Sequence, residues 1–449
     1  MRDLLVLSIV IYFLPQVFKK PYIGVLLMCW FGYMNPHRMG WGFAYNLPFF
    51  YAITLTTLIC TLIAFSKKDA APPPAHAITF TLATFIIWLL VTSLNAVYTD
   101  NAWVAYIKFL KIQVGILLTL LLINSEKKLI YLIITIALSI GFFGIKGGVF
   151  SLMTGGGFRV WGPPDSFIEG NNELALALLV ILPYFYFLYF YVNRPLVKKL
   201  ILASGLLILI SVVFSYSRGA FLALAASLFF LWFRSQKKMV LAVSFIAILI
   251  VAIPFVPSTW FDRMNTIETY EEDESAQGRF NSWGFAYNVA KDKITGGGFN
   301  VWEREMFSIY APNPAVVFDA HSIYFEVLGE HGFIGLFLFI GFFYLVWREA
   351  GKIRKKYLHS PDFGWASNLM AMCQVSLVAY ASGGAFLGLA FFDLPYHIAT
   401  FVLITHRIVA NKSSSGGTID NKSRPSMGPV TAVIKSSPGN TEERIEHSR

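Results

Sequence analysis

Three side chains in this sequence are suited to chemistry on a charged substrate: Arg218, Arg279 and His321. A histidine can accept a proton from a hydroxyl near neutral pH, and it is a common general base. An arginine keeps its charge and presents a planar fork that matches paired phosphate oxygens. Together, these residue types favour a protein that handles an anionic substrate.

The sequence around His321 predicts the start of a helix. Asp319 is the predicted N-cap, which would place His321 in the first helical turn. The positive end of a helix disfavours imidazolium, so we expect a neutral His321 that can accept a proton. Glu326 and Glu330 fall on the Ser322 side of that helix, so neither is expected to orient His321. Alone, such a histidine is more often structural than catalytic.

Arg218 interrupts an apolar stretch at residues 200–234, which is too long for one membrane crossing. The sequence Ser215-Tyr216-Ser217-Arg218-Gly219 predicts a tight hairpin there, with Arg218 at the membrane surface. An arginine at that depth usually has a partner, and phosphate is one candidate. The alternative is an arginine that snorkels to headgroups or carbonyls.

Arg279 lies near the start of a predicted surface helix. This helix would run from Ser275, its expected N-cap, to Ala290. Arg279, Trp283 and Tyr287 would share one face of that helix. This face would suit a polyprenyl phosphate or a sugar ring. The two rings could equally be aromatic anchors at headgroup level.

The elements that position these residues are predicted to be membrane helices. The 449-residue chain is 56% hydrophobic and 14% charged, with a mean hydropathy of +0.59. These values predict a polytopic membrane protein with roughly 12–13 spans. The spans are expected to be α-helices, because the apolar runs are continuous and lack the alternation of apolar and polar residues that barrel strands show. The predicted spans are 4–18, 21–34, 47–65, 77–97, 108–123, 128–152, 172–193, 197–215, 218–234, 238–257, 333–348, 366–388 and 392–409.

Basic residues mark every second loop, which predicts that those loops are cytoplasmic and that the long polar segment 262–332 is periplasmic. The marking residues include Lys19-Lys20, Lys67-Lys68, Lys127-Lys128, Arg194, Arg234, Lys237-Lys238 and Arg348 to Lys356. Four parts follow: N-terminal membrane helices (1–257), a periplasmic loop with short helices and the histidine motif (258–332), C-terminal membrane helices (333–410) and a disordered cytoplasmic tail (411–449).

Composition also argues against two other classes of ligand. The net charge of +10 follows membrane topology rather than a patch, so nucleic acid is not an expected partner. The acidic run Glu268 to Glu274 favours a solvated loop over a metal site. Cys29, Cys60 and Cys373 lie in apolar runs without ligand spacing. We therefore expect no metal and no cofactor.

A longer motif gives these residues a context. His321-Ser322, nine residues, Gly332, two residues and Gly335 resemble the signature of O-antigen ligases, which are related to O-antigen polymerases among the inverting polytopic glycosyltransferases. Ser217-Arg218-Gly219 and Gly278-Arg279 with Trp283 accompany that signature. The segments 32–38, 159–164 and 171–173 resemble the exosortase A-associated O-glycosylation ligase branch.

The resemblance implies glycan transfer from undecaprenyl pyrophosphate to an acceptor hydroxyl on lipid A-core, a protein or another surface molecule. The reaction would proceed with inversion and without a metal, in the bacterial inner membrane at its periplasmic face. Arg218 and Arg279 would stabilise the leaving pyrophosphate, and His321 would remove the acceptor proton. Membrane lipids are further expected partners. Second-rank substrate contacts are Ser322, Trp283, Arg159, Lys146 and Arg38.

Two alternatives stay open at this stage. One is a polymerase that joins lipid-linked repeats, which uses the same donor. The other is a permease for a lipid-linked glycan without any transfer activity. A permease would be expected to have polar residues deep in its helices, whereas the charges here cluster near the ends of the segments.

Overall fold

The computed structural model describes residues 2–40, 42–66, 70–234 and 274–414, together with residues 238, 239 and 258. The described part is helical and contains no strand. Nine helices precede the undescribed region: α1 Arg2–Val17, α2 Tyr22–Met34, α3 Phe49–Ser66, α4 Ala77–Leu94, α5 Thr99–Leu122, α6 Glu126–Met153, α7 Asn171–Tyr191, α8 Pro195–Val213 and α9 Arg218–Arg234. Five follow it: α10 Glu274–Asp292, α11 Arg304–Tyr310, α12 Ile323–Lys356, α13 Gly364–Gly383 and α14 Asp393–Ser414.

The all-α polytopic fold class is confirmed. Seven described helices are long and apolar enough to cross a membrane: α4, α5, α6, α7, α8, α12 and the helix that runs on from α13 to Phe386. The apolar helices at Tyr22–Met34 and Phe49–Phe65 are shorter. The predicted 12–13 spans exceed the seven because the sequence count also included these short helices, α1, α9, α14 and a span at 238–257. Apart from residues 238 and 239, that last span lies outside the described residues.

The outer surface of the bundle is apolar, as a lipid-facing surface must be. Leu62 on α3 is 65% exposed and Phe337 on α12 is 76% exposed. Large side chains of the interior, including Phe85, Phe109 and Phe339, are almost fully buried. The helices therefore pack on one another through one face and present hydrocarbon through the other.

Loop contacts define one end of the bundle, which we call the motif end. The N–H of Val97, between α4 and α5, donates to the carbonyl of Gly297 at 2.9 Å. The hydroxyl of Tyr216, between α8 and α9, donates to the carbonyl of Gly156 at 2.6 Å. The motif end comprises the loops at 35–48, 154–170, 214–217, 293–322 and 384–392.

The other end of the bundle holds the described residues among those predicted to mark cytoplasmic loops, such as Arg194, Arg234 and Arg354. This separation agrees with the predicted alternation of basic loops, while the side of the membrane that each end faces stays a prediction. Lys67-Lys68, residues 268–273 of the acidic run and most of the tail lie outside the described residues. The helix α14 continues to Ser414, slightly past the predicted boundary at 410.

The helix α12 is kinked at Gly332, whose φ of 68° and ψ of −173° are not helical. A Cβ at Gly332 would lie 2.3 Å from the carbonyl oxygen of Ile294, so this backbone requires glycine. Trp88 of α4 donates its Nε1–H to the carbonyl of His331 at 2.9 Å, next to the kink. The kink separates a nine-residue segment, 323–331, from the membrane segment 333–356, which begins at the predicted residue.

A small subdomain covers the motif end, and we call residues 274–318 the cap. Its core contains Phe285 of α10 and Phe307 of α11, whose rings stack at 4.2 Å. Tyr310 donates its hydroxyl to Asp292, and this hydrogen bond raises the pKa of Tyr310. Tyr98, which precedes α5, packs against the same core. The cap therefore fixes α10 above the membrane bundle.

Candidate functional site

The structure corrects the predicted environment of His321. The N-cap of α12 is Ser322, not Asp319, and the helix begins at Ile323. His321 lies before the helix with a φ of 43°, in the left-handed region. The chain turns at His321 as it leaves the cap, so residues 320–322, which were predicted to be helical, lie in a loop. His321 nevertheless lies beside the positive end of the helix.

The hydrogen bond of His321 fixes its tautomer. Its Nδ1 lies 3.2 Å from the carbonyl oxygen of Asp319. A carbonyl can only accept, so Nδ1 carries the proton and Nε2 keeps a lone pair. The His321 side chain is partly exposed, and its ring lies 5.1 Å from that of Phe318. Nε2 is therefore the atom that can take a proton from a substrate.

Neither nearby glutamate orients His321, as the sequence predicted. Glu326 accepts the N–H of Ala390 at 3.2 Å. Glu330 accepts the N–H of Asn300 and the Nε1–H of Trp302, each at 3.0 Å. Both carboxylates hold loops of the motif end onto α12.

The helix that carries Arg279 is fastened to the His321 loop. Ser282 donates to the carbonyl of Phe318 at 2.6 Å, and Trp283 donates Nε1–H to the carbonyl of Ala320 at 2.9 Å. The Trp283 ring also stacks on Phe325 at 4.8 Å, with 7° between the planes. Arg279 lies one turn before Trp283, so its position is fixed relative to the loop that presents His321.

The predicted aromatic platform on α10 is replaced by packing contacts. Trp283 stacks on Phe325 and is bonded to the loop, so it positions α10 rather than offering an open ring pair with Tyr287. Tyr287 is 51% exposed and meets the edge of Phe333 at 6.1 Å. The prediction of Ser275 as the N-cap is wrong, because the chain is already helical at Glu274 and Ser275 therefore lies within the helix. The side chain of Ser275 lies outside the described residues.

Arg218 is the first residue of α9, after the hairpin that the sequence predicted. The hydroxyl of Ser217 accepts the N–H of Ala220 at 3.2 Å, which caps the helix. Tyr216 has a φ of 58°, and Asn171 donates to the carbonyl of Ser215 at 2.7 Å. These contacts fix the backbone that carries Arg218.

A short turn, Gly384–Phe386, connects the start of α9 with the start of α12. A Cβ at Gly219 would lie 3.3 Å from that of Phe386, and one at Gly384 would lie 2.6 Å from Cδ1 of Ile323. Tyr324 donates its hydroxyl to the carbonyl of Ala381 at 2.8 Å. The start of α9, at Arg218, and the start of α12, just after His321, therefore pack on opposite sides of the Gly384–Phe386 turn. The structure gathers the three predicted site residues at one end of the bundle.

Ser322 adds a polar atom beside His321. The residue is 1% exposed, and its hydroxyl has no hydrogen-bond partner in the described structure. An N-cap serine normally accepts a backbone N–H, but here that bond is missing. A buried hydroxyl without a partner at the positive end of a helix is suited to donate to an anion.

The described contacts of the remaining second-rank residues do not involve the His321 loop. Arg38 forms an ion pair with Asp165 at 3.1 Å. Lys146 on α6 and Arg159 in the loop after it are exposed, and no described hydrogen bond or ion pair joins either to the His321 loop. His37 packs between Phe31 and Phe49, and burial lowers its pKa.

One group in the described residues has the composition of a metal site. The ligand atoms of His76, Glu349 and His406 lie within 4.8 Å of one another, at the end of the bundle opposite His321. His76 Nδ1 accepts the N–H of Ile78, so in the neutral ring the proton is on Nε2, which faces Glu349 at 3.5 Å. His406 and Lys352 approach the same carboxylate at 2.8 and 3.3 Å. The arrangement suits a hydrogen-bonded carboxylate better than a cation.

Sequence patterns did not reveal the contacts that assemble the site. Phe386 lies more than a hundred residues after Arg218, and Phe318 and Phe325 contact α10 across the cap. Aromatic residues are common throughout this chain, so no local signal distinguishes these three. The pair Lys108 and Lys111 was also missed, although two charges inside an apolar helix are such a signal.

Comparison with known proteins gives two family matches. Residues 1–193 match a family of unknown function, which leaves the narrower resemblance to the exosortase A-associated branch a prediction. Residues 203–340 match the family described as O-antigen ligase, and this region includes Arg218, Arg279 and His321. No curated protein matches the chain. The match supports an O-antigen ligase or polymerase type of activity, and the chain is a polytopic membrane protein whose residues 203–340 are similar to the O-antigen ligase family.

Proposed function

We propose that this protein is an inverting glycosyltransferase that moves a glycan from undecaprenyl pyrophosphate to an acceptor hydroxyl at the periplasmic face of the inner membrane. The acceptor is lipid A-core, a protein or another surface molecule. The observation that carries the proposal is the attachment of α10, with Arg279, to the loop that presents Nε2 of His321. The family match over the same residues supports it.

In the proposed reaction, the acceptor oxygen attacks the anomeric carbon and the bond from that carbon to the phosphate oxygen breaks. The proton of the acceptor moves to Nε2 of His321, and undecaprenyl pyrophosphate leaves with the bonding electron pair. Arg218 and Arg279 stabilise the charge that develops on the leaving group. The Ser322 hydroxyl, without a described partner, supplies a further donor at the helix start.

His321→Asn tests the role of the base. Asparagine tolerates a left-handed backbone, so the variant removes the imidazole while keeping the turn. We expect turnover from a lipid-linked donor to fall about 10²–10⁴-fold, with little change in thermal stability. His359→Asn, at an exposed position at the opposite end, is the matched control. Turnover near the wild-type level in the His321 variant would remove its proposed role.

Arg218→Lys and Arg279→Lys test the leaving-group contacts. Lysine keeps the charge but loses the planar fork, so we expect reduced turnover in both variants even though the charge is conserved. Arg304→Lys on the exposed surface of the cap serves as the control. Full loss of wild-type activity on treatment with a chelator would contradict the metal-independent mechanism.

The glycan that accumulates in a deletion strain separates ligase from polymerase. Loss of a ligase leaves polymer on its lipid carrier, whereas loss of a polymerase leaves single repeats on the usual acceptor. Membrane sidedness is tested by labelling Ile294→Cys, which is 74% exposed at the motif end, with an impermeant thiol reagent in intact spheroplasts. His359→Cys at the opposite end should label only after permeabilisation.

A further inference from the structure

Two lysines lie on the exposed face of a membrane helix. Lys108 and Lys111 are three residues apart on α5, on one side of the helix, and both are exposed. In the described chain, no carboxylate comes within ion-pair distance of either ammonium group. A lysine on a lipid-facing helix is costly unless its charge is compensated, so these two need an explanation.

Both ammonium groups point toward the motif end. The helix α5 starts there at Thr99, and helical side chains tilt toward the helix N-terminus. Trp103, which is 43% exposed, lies between that start and the lysines and is typical of the membrane interface. The lysines can therefore reach the headgroup region by snorkelling.

Aromatic rings from two other segments hold the lysines. Lys108 Nζ lies 4.2 Å from the ring centre of Phe167, in the 154–170 loop. Lys111 Nζ lies 5.5 Å from the ring centre of Tyr51, on the first turn of α3, and donates to its hydroxyl at 3.4 Å. Ring faces attract cations but carry no net charge, so they do not supply a counter-charge to either lysine.

A third cation, Arg38, is bonded to the 154–170 loop that also contacts Lys108. Arg38 bonds to Asp165, two residues before Phe167, and lies 5.9 Å from the ring of Tyr45, which shortly precedes α3. Asp165 is the one described carboxylate in an ion pair with any of the three cations. The nearby Glu169 instead accepts the backbone N–H of Asp165 at 3.0 Å. We call Arg38, Lys108 and Lys111 the cation cluster.

We propose that the cation cluster binds the phosphate headgroup of a lipid in the leaflet at the motif end, with a phosphate monoester preferred over a diester. Arg38 is paired with Asp165, while neither lysine has a described carboxylate partner, so the two lysine charges are left for a ligand. A monoester carries about −1.5 to −2 charges near neutral pH and matches that excess, whereas a diester carries one charge. The site is separate from the residues of the proposed reaction and does not depend on that proposal.

Lipid retention by the purified, delipidated protein tests the site. Native mass spectrometry would compare phosphatidic acid, phosphatidylglycerol and phosphatidylcholine at equal concentrations. We expect phosphatidic acid to bind tightest, and Lys108→Gln with Lys111→Gln to weaken its binding about thirty-fold, since each basic residue contributes one charge contact. Lys198→Gln, which removes a lysine near Tyr189 at the opposite end, should leave binding unchanged.

Asp165→Asn gives a prediction of opposite sign. The carboxylate competes with the ligand for Arg38, so its removal should tighten the binding of phosphatidic acid. Asparagine suits the φ of 55° at this position, so the loop should fold normally. Thermal unfolding of each variant would verify the fold.

Three outcomes would overturn the proposal. The first is equal retention of phosphatidic acid and phosphatidylcholine by the wild type. The second is undiminished binding by the folded double lysine variant. The third is protection of the delipidated protein against heat by inorganic phosphate as strong as that by phosphatidic acid, which would assign the cluster to a free anion rather than a lipid.

Discussion

Replacing Gly332 by alanine should disturb both the stability and the activity of this protein. Gly332 has a φ of 68° and a ψ of −173°, a backbone region that is essentially restricted to glycine. The added Cβ would lie 2.3 Å from the carbonyl oxygen of Ile294 and 3.1 Å from the backbone nitrogen of Gly296. These are backbone atoms, so the clash cannot be relieved by rotating a side chain.

The expected cost has two parts. Holding alanine in this conformation costs about 1–3 kcal/mol. The forced contact with the loop at 294–296 adds about 1–3 kcal/mol, as overpacking does elsewhere. The variant should therefore lose about 2–6 kcal/mol, or relax by straightening α12. Straightening would redirect the segment 323–331 and move His321 away from α10.

Gly341→Ala is a control in the same helix, because a Cβ there would meet no atom within 4 Å. This change should stabilise α12 by about 0.5–1 kcal/mol, since alanine is a better helix former than glycine. Thermal unfolding in detergent and glycan transfer well below the transition would be measured for both variants. Wild-type stability and turnover in Gly332→Ala would refute the assigned role of the kink.

Three further predictions concern the cap and its surroundings. Trp283→Phe keeps the ring stack but loses the bond to Ala320, so it should cost about 1 kcal/mol and lower turnover; unchanged unfolding and transfer would contradict this. Burial lowers the pKa of His37, so its contribution is present above about pH 6.5 and lost in acid. His37→Gln should therefore lose less stability than the wild type between about pH 7 and 5 in thermal unfolding. The pKa of Tyr310 is raised by its bond to Asp292, so its stabilisation is present below about pH 10 and is lost above it. Tyr310→Phe should be less stable than the wild type at neutral pH, with the two unfolding curves converging in strong alkali.

Local sequence features predicted several elements closely. The polar break at 215–219 predicted the hairpin between α8 and α9, because a 35-residue apolar stretch cannot cross one bilayer as a single helix. The start of the membrane segment at 333 was also predicted, since Gly332 ends the polar segment that precedes the apolar run. Local signals gave the wrong N-cap for α12. Asp319 is a good capping residue, but Ser322 is the N-cap because the chain first turns at His321 as it leaves the 274–318 cap.

The sequence by itself determined that this is a helical membrane protein, and it indicated the three side chains of the proposed reaction through their types and motifs. Hydrophobicity and motif spacing are local properties, so they can be read from the sequence without a structure. Only the tertiary structure decided that Trp283 positions α10, that Arg38 pairs with Asp165 and that the turn at 384–386 lies between Arg218 and His321. These contacts join residues far apart in the chain, and packing selects such partners by shape rather than by any repeated sequence pattern.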